Sequence, residues 1–191
     1  MYCIVFDLDR TLVSSSTARD ERFDAFPVLN STLWTHIRPG AKTLLATLIA
    51  RENVQLCIWT AGVHQYAKDV VTGLCNAFGL DMSALHIFSR DDTMRLRVNN
   101  TDVYVKDLRL VTNRFPNMSD VVLVDDDPVH QRILSNRGRV VQVPPFLCDP
   151  DDNVLTYVLI QLEVICRAAE MNTPITCPVP VRPQPLFLSP I

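Results

Sequence analysis

The sequence predicts an open α/β fold with a mainly parallel sheet, because short apolar, β-rich runs alternate with stretches of helical period. The first run, Tyr2-Cys3-Ile4-Val5-Phe6, is apolar throughout rather than alternating. A strand covered on both faces reads this way, as in a parallel sheet. The runs at 54–59, 121–124 and 139–143 repeat the pattern, and 85–88 is a shorter candidate. A length of 191 residues fits one domain with a core of its own.

Helical patterns fill the gaps between these runs. Pro39-Gly40 opens one that continues through Leu44, Leu45, Leu48 and Ile49, proline being suited to a first helical turn. A second follows Gly62 through Tyr66, Val70, Val71 and Leu74 and ends near Gly79. Shorter helices are expected at 108–115 and 128–135. A last one is expected at 153–171, where the acidic residues 149–152 favour its start. In it Val154, Val158, Leu162 and Ile165 form a stripe for the sheet, while Leu155, Leu159 and Cys166 leave monomer and dimer both open. From residue 172 the helical period disappears and six of the 13 prolines gather. The expected division is therefore a folded domain at 1–171 and a proline-rich extended tail at 172–191.

Composition excludes several function classes. A net charge of −3 gives no reason to expect direct nucleic-acid binding. The six cysteines contain no C-x-x-C pair and read as reduced core thiols rather than a disulfide framework or zinc site. The N-terminus enters a strand directly, without the basic-then-apolar order of a signal peptide. The longest apolar stretch, 154–166, is interrupted by Gln161 and Glu163 and is too short to span a bilayer. A cytoplasmic or nuclear protein without membrane association is expected.

In an open parallel sheet, ligands bind beyond the carboxyl ends of the strands. Polar residues collect there: Asp7, Asp9 and Thr11 after the first strand, Thr60-Ala61-Gly62 after Trp59, Lys106 before a helix, and Asp125-Asp126-Asp127 after Val124. Each type has work in phosphoryl transfer. A carboxylate is a nucleophile able to form an acyl-phosphate. A carboxylate and a phosphate repel each other, so a bridging Mg²⁺ is expected, with Asp7, Asp125 and Asp126 as hard-oxygen ligands. A second carboxylate two residues on serves as acid and base. Thr60 and the helix start after it offer a hydroxyl and main-chain N–H groups to a phosphate. Lys106 adds a point charge where negative charge accumulates. Taken singly, an Asp-x-Asp is often only a turn, an acidic cluster a helix start, and a lysine a solvated side chain. Their joint placement favours chemistry.

These residues resemble the haloacid-dehalogenase superfamily of phosphotransferases. Asp7-Leu8-Asp9-Arg10-Thr11-Leu12-Val13 fits its D-x-D-x-[TV] signature. Trp59-Thr60-Ala61, Val105-Lys106-Asp107-Leu108 and Val124-Asp125-Asp126-Asp127-Pro128 resemble a narrower branch, the small phosphatases of the RNA polymerase II C-terminal domain (the NLI-interacting-factor-like group). Arg38-Pro39-Gly40 and Gln65-Tyr66-Ala67 also fit its spacing, and the likeness runs from residue 2 to about 170. It implies Asp7 as nucleophile and metal ligand and Asp9 as acid/base, with its main-chain carbonyl on the Mg²⁺. It also implies Thr60, Ala61 and Lys106 on the phosphate, and Asp125 and Asp126 completing the metal site. Two departures stand out: Asp126-Asp127 where many members of that branch have Asn-Ser, and Arg10 where Glu is common.

Between Val13 and Arg38 lie only about two dozen residues, too few for a cap domain. A short insert in place of a cap implies an open cleft, suited to phosphate carried on a protein. The first expectation is a phosphoserine or phosphothreonine protein phosphatase, with the polymerase tail as the substrate the resemblance suggests. Its rivals are a phosphatase of small molecules or nucleic-acid ends and a non-catalytic phosphopeptide- or partner-binding module. Arg90, Arg95 and Arg97 lie near the rim and are candidates for contacting an acidic phosphopeptide, but a solvated loop is the favoured reading. The histidines, which show no metal spacing, are placed at the surface or at helix ends. Tyr66, Phe23, Phe26 and Trp34 are candidates for an apolar pocket beside the phosphate, for a substrate side chain, but most are assigned to core packing.

Overall fold

The computed structural model describes residues 1–29 and 32–170, apart from the side chains of residues 131 and 168–170. The proline-rich stretch expected at 172–191 lies outside the described residues. In chain order the elements are β1 (Tyr2–Phe6), β2 (Val13–Ser16), β3 (Ala25–Val28), β4 (Leu33–Ile37), α1 (Ala41–Ile49), β5 (Val54–Trp59) and α2 (His64–Phe78). There follow β6 (Leu85–Phe88), β7 (Met94–Val98), β8 (Thr101–Val105), α3 (Leu108–Arg114), β9 (Asp120–Asp125), β10 (Val140–Gln142) and α4 (Val154–Glu170).

Five strands form a parallel sheet in the order β10-β9-β1-β5-β6, with β1 at its centre and buried along its whole length. The two-residue period of a strand sends alternate side chains to opposite faces. Ile4 and Phe6 meet the large core built with α1, α2 and α4, whereas Cys3 and Val5 meet a smaller one with Trp59, Leu108 and Val111. Two-sided burial explains why β1 reads as an unbroken apolar run. The stripe Val154, Val158, Leu162 and Ile165 of α4 is buried as expected. Leu155 and Cys166, offered by the sequence as a dimer surface, are also fully buried; among the described side chains of α4 the exposed large apolar ones are Tyr157, Ile160 and Val164.

Two additions decorate the sheet, and no cap domain is evident among the described residues. Strands β2, β3 and β4 form a three-stranded antiparallel sheet in the order β2-β4-β3. It docks on α2 where the Phe26 ring lies over Gly73; a Cβ there would sit 2.1 Å from a ring carbon, so only glycine admits this approach. The second addition is the β7–β8 hairpin, formed where the sequence suggested a solvated loop. Strict alternation in Met94-Arg95-Leu96-Arg97-Val98, with Asn99 and Asn100 at φ 48° and 61°, is what a hairpin turn of this kind requires. The helix expected at 128–135 is instead two 3-10 turns, Pro128–Arg132 and Leu134–Asn136, separated by Ile133 in an extended conformation.

Arg38 ties the turn after β1 to the start of α4. Its side chain is fully buried, with Nε and Nη2 donating to Asp152 at 3.0 and 2.8 Å. Nη1 donates to the Thr11 carbonyl at 3.1 Å and Nη2 to that of Pro144 at 3.0 Å. Arg38→Leu strands a carboxylate and these carbonyls, so it is expected to cost about 3–5 kcal/mol, read by urea denaturation.

Candidate active site

The carboxyl ends of β1, β5 and β9 and the end of β8 open on one cleft of about 550 Å³. Register fixes its floor. Phe6 lies opposite both Val124 and Ile58, so the residues leaving these strands emerge side by side. The Asp7 N–H donates to the Val124 carbonyl at 3.0 Å, placing the Asp7 side chain next to that of Asp125. Lys106, at the end of β8, lies between them: its ammonium bonds the Asp7 carboxylate and donates to Asp125 Oδ2 at 2.7 Å. All three are nearly inaccessible to solvent.

Ligand oxygens of Asp7, Asp125 and Asp126 lie within 4.8 Å of one another. Three carboxylates thus face one lysine, leaving surplus negative charge in a partly dry site. Burial pushes the Asp7 carboxyl well above the usual carboxylate range; Lys106 pulls it down, and Asp125 and Asp9 raise it again. Burial likewise raises Asp126, with Asp125 adding to the rise and Arg10 opposing it. Burial opposes the charge of Lys106 as well, but Asp7 and Asp125 overcome it and hold the ammonium form beyond the ordinary lysine range. The surplus charge and the all-oxygen donor set fit a hard divalent cation.

Asp9 stands on the side of the cleft toward α2. The Tyr66 hydroxyl donates to its Oδ1, and the Thr60 hydroxyl donates to its Oδ2 at 3.2 Å. Thr60 Oγ1 also accepts the Gly62 N–H at 2.9 Å, so this hydroxyl is engaged locally rather than turned to a ligand. Burial and the Asp9 charge push the Tyr66 phenol above its usual range, which keeps it a donor. The helical spacing of Tyr66 reads mainly as core or as a pocket wall, and does not show that its hydroxyl serves Asp9. Ala61 lines the cleft, with its carbonyl accepting Arg90 Nε at 2.7 Å, and the Arg90 guanidinium lies 4.8 Å from the Tyr104 ring centroid. Of the three arginines expected near the rim, Arg90 lines the cleft and Arg95 pairs with Asp102 across the hairpin. Phe23 packs on Phe146, and Phe26 on Gly73.

The two departures from the branch pattern face each other. Arg10, held in the left-handed region at φ 66°, brings Nε to 3.4 Å from Asp126 Oδ2. Thr11 Oγ1 accepts the Asp126 N–H at 3.1 Å. The extra carboxylate thus has an exposed guanidinium within ion-pair distance, which opposes the rise of Asp126 without cancelling it. The expectation of surface or helix-end histidines fails at His36, which is 1% exposed within β4; His130 does lie in a 3-10 turn, but it is 3% exposed and lines the cleft.

The chain matches the family of NLI interacting factor-like phosphatases over residues 2–172. It belongs to that family. Its fold is similar to that of Fcp1, described as an essential RNA polymerase II CTD phosphatase, with a TM-score of 0.53 at 20% identity over 89% of this chain and 49% of that one. A fission yeast Fcp1 variant bound to beryllium fluoride gives 0.51 at 17% identity over 89% and 51%. The chain spans about half the length of these structures. Among curated proteins no sequence match is found. The family is one of phosphatases, the architecture is α/β, and the cluster of three aspartates is able to hold a metal.

Proposed function

We propose that this phosphatase is magnesium-dependent and removes phosphate from phosphoserine or phosphothreonine in proteins, through a phosphoaspartate at Asp7. The observation that carries the reading is Asp7 on an open cleft floor, beside Lys106 and in one carboxylate cluster with Asp125 and Asp126. Asp7 attacks phosphorus, an Asp7 O–P bond forms, and the ester P–O bond breaks. Asp9 gives its proton to the departing seryl or threonyl oxygen. Asp9 then takes a proton from water, which attacks phosphorus and breaks the bond to Asp7, releasing inorganic phosphate. The Tyr66 and Thr60 hydroxyls hold Asp9 in place for both steps. Lys106, with the main-chain N–H of Ala61, meets the phosphate oxygens, the Thr60 N–H being spent on the Phe88 carbonyl. A Mg²⁺ held by Asp7, Asp125, Asp126 and the Asp9 carbonyl would screen phosphate from nucleophile.

A protein substrate fits a cleft without a cap, whose lining includes the guanidinium groups of Arg10 and Arg90. A polymerase C-terminal-domain peptide is the first candidate, from the likeness to Fcp1. The folded domain is taken to be 1–171, with 172–191 an appended tail. A cytoplasmic or nuclear location is in keeping with the described helices, none of which is long and apolar enough to cross a membrane. Rates on phosphoserine and phosphothreonine peptides, sugar phosphates and 3′-phosphorylated oligonucleotides test the substrate class. Phosphopeptides should give the highest kcat/KM, and only with Mg²⁺. A preference for either other class would replace this reading.

A further inference from the structure

We propose that His130 is a positioning residue, one that fixes Asp125 and the main chain of Lys106 so that the aspartates present a single cation site. The proposal rests on the reading of Asp125 as a metal ligand. His130 belongs to the 3-10 turn Pro128–Arg132, where Asp127 accepts the Val129 N–H at 2.9 Å and starts a tight turn instead of a helix. This turn brings the imidazole beneath the cleft, out of solvent. The Lys106 N–H donates to its Nδ1 at 3.3 Å. Nδ1 is therefore the acceptor, and the hydrogen of the neutral ring sits on Nε2, which lies 3.4 Å from Asp125 Oδ2. Burial lowers the ring's proton affinity, in keeping with a neutral imidazole.

One ring thus touches both groups whose relative placement the site needs. Asp125 Oδ2 receives Lys106 Nζ at 2.7 Å with the ring's Nε2 3.4 Å away, and Oδ1 receives the Asp127 N–H at 2.8 Å, so both oxygens have neighbours that fix them. Asn136, with no exposed surface, closes the arrangement from behind. Its Nδ2 donates to the carbonyls of Lys106 at 2.6 Å and His130 at 3.1 Å, and its Oδ1 accepts the Leu108 N–H at 3.0 Å. Partners that orient a ligand carboxylate in this way commonly govern metal affinity.

Two amide variants separate the two contacts. Asn offers an acceptor at about the reach of Nδ1, and Gln a donor at about the reach of Nε2. Calorimetric titration with Mg²⁺ alone is run on wild type, His130→Gln, His130→Asn, His130→Ala and Asp125→Asn, beside thermal melts in EDTA. Affinity should fall about 10–100-fold in His130→Ala and His130→Asn and be largely restored in His130→Gln. The melting midpoint should follow a different order, with His130→Asn above His130→Ala because the buried Lys106 N–H keeps an acceptor. Unchanged affinity in folded His130→Ala, while Asp125→Asn loses Mg²⁺, would overturn the role of His130 alone. Affinity falling in step with the melting midpoint, with no rescue by Gln, would overturn it too. Wild type taking up no Mg²⁺ would sink the metal reading and this role together.

Discussion

Asp7→Asn is expected to lower turnover of p-nitrophenyl phosphate by about 10⁴-fold or more, while the protein stays folded. The amide is nearly isosteric, cannot attack phosphorus, and removes a buried charge that already faces Asp125 and Asp126. Stability in EDTA should therefore hold or rise as activity vanishes, which separates loss of the nucleophile from loss of the fold. Asp9→Asn behaves differently. This substrate's leaving group departs without a proton, so the first step survives in part, while activation of water fails and steady-state turnover drops about 10²–10⁴-fold. A burst of nitrophenol followed by a stall is the expected trace for Asp9→Asn, and a flat one for Asp7→Asn. Equal residual rates in both variants would mean that the reacting carboxylate lies elsewhere.

Lys106→Met should cost about 3–5 kcal/mol of stability near neutral pH, read by urea denaturation in EDTA. The lysine is the cation between two buried carboxylates, and without it Asp7 and Asp125 repel each other at short range. The deficit should shrink in acid. Asp7 in the folded protein already titrates above its unfolded value, and losing Lys106 raises it further. A group with a raised folded pKa supports the fold below its unfolded pKa and withdraws that support as pH rises through the folded one. The variant should therefore approach wild-type stability as pH falls toward the ordinary carboxylate range, and activity should be lost at every pH. A deficit that grows in acid would contradict this pairing.

Much of this arrangement is legible in the sequence because it depends on local pattern. β1 announces itself through two-sided burial, and register then carries Asp7, Thr60 and Asp125 to neighbouring strand ends. Other parts depend on tertiary docking. Tyr66 reaches Asp9 only because α2 lies beside the strand end, and on a helical period its ring is indistinguishable from core. The partnership of Arg38 with Asp152 spans 114 residues and leaves no local trace. The insert strands β2 and β3 are four residues each, and their Ser14-Ser15-Ser16 and Pro27 carry almost no strand signal. The hairpin could have been read, since Met94–Val98 alternates and two asparagines follow. Its arginines suggested a solvated loop instead. His130 is buried by a turn too short to show a period.

The central claim is that phosphate passes through a covalent bond to Asp7. The most direct measurement is to mix the enzyme with Mg²⁺ and a phosphopeptide, quench in acid, reduce with borohydride, and map the product by peptide mass. An acyl-phosphate at Asp7 is reduced to the homoserine side chain. That conversion should appear only with substrate and Mg²⁺, accumulate in Asp9→Asn, and be absent from Asp7→Asn. Reduction at another carboxylate, or multiple turnovers by Asp7→Asn, would contradict the account.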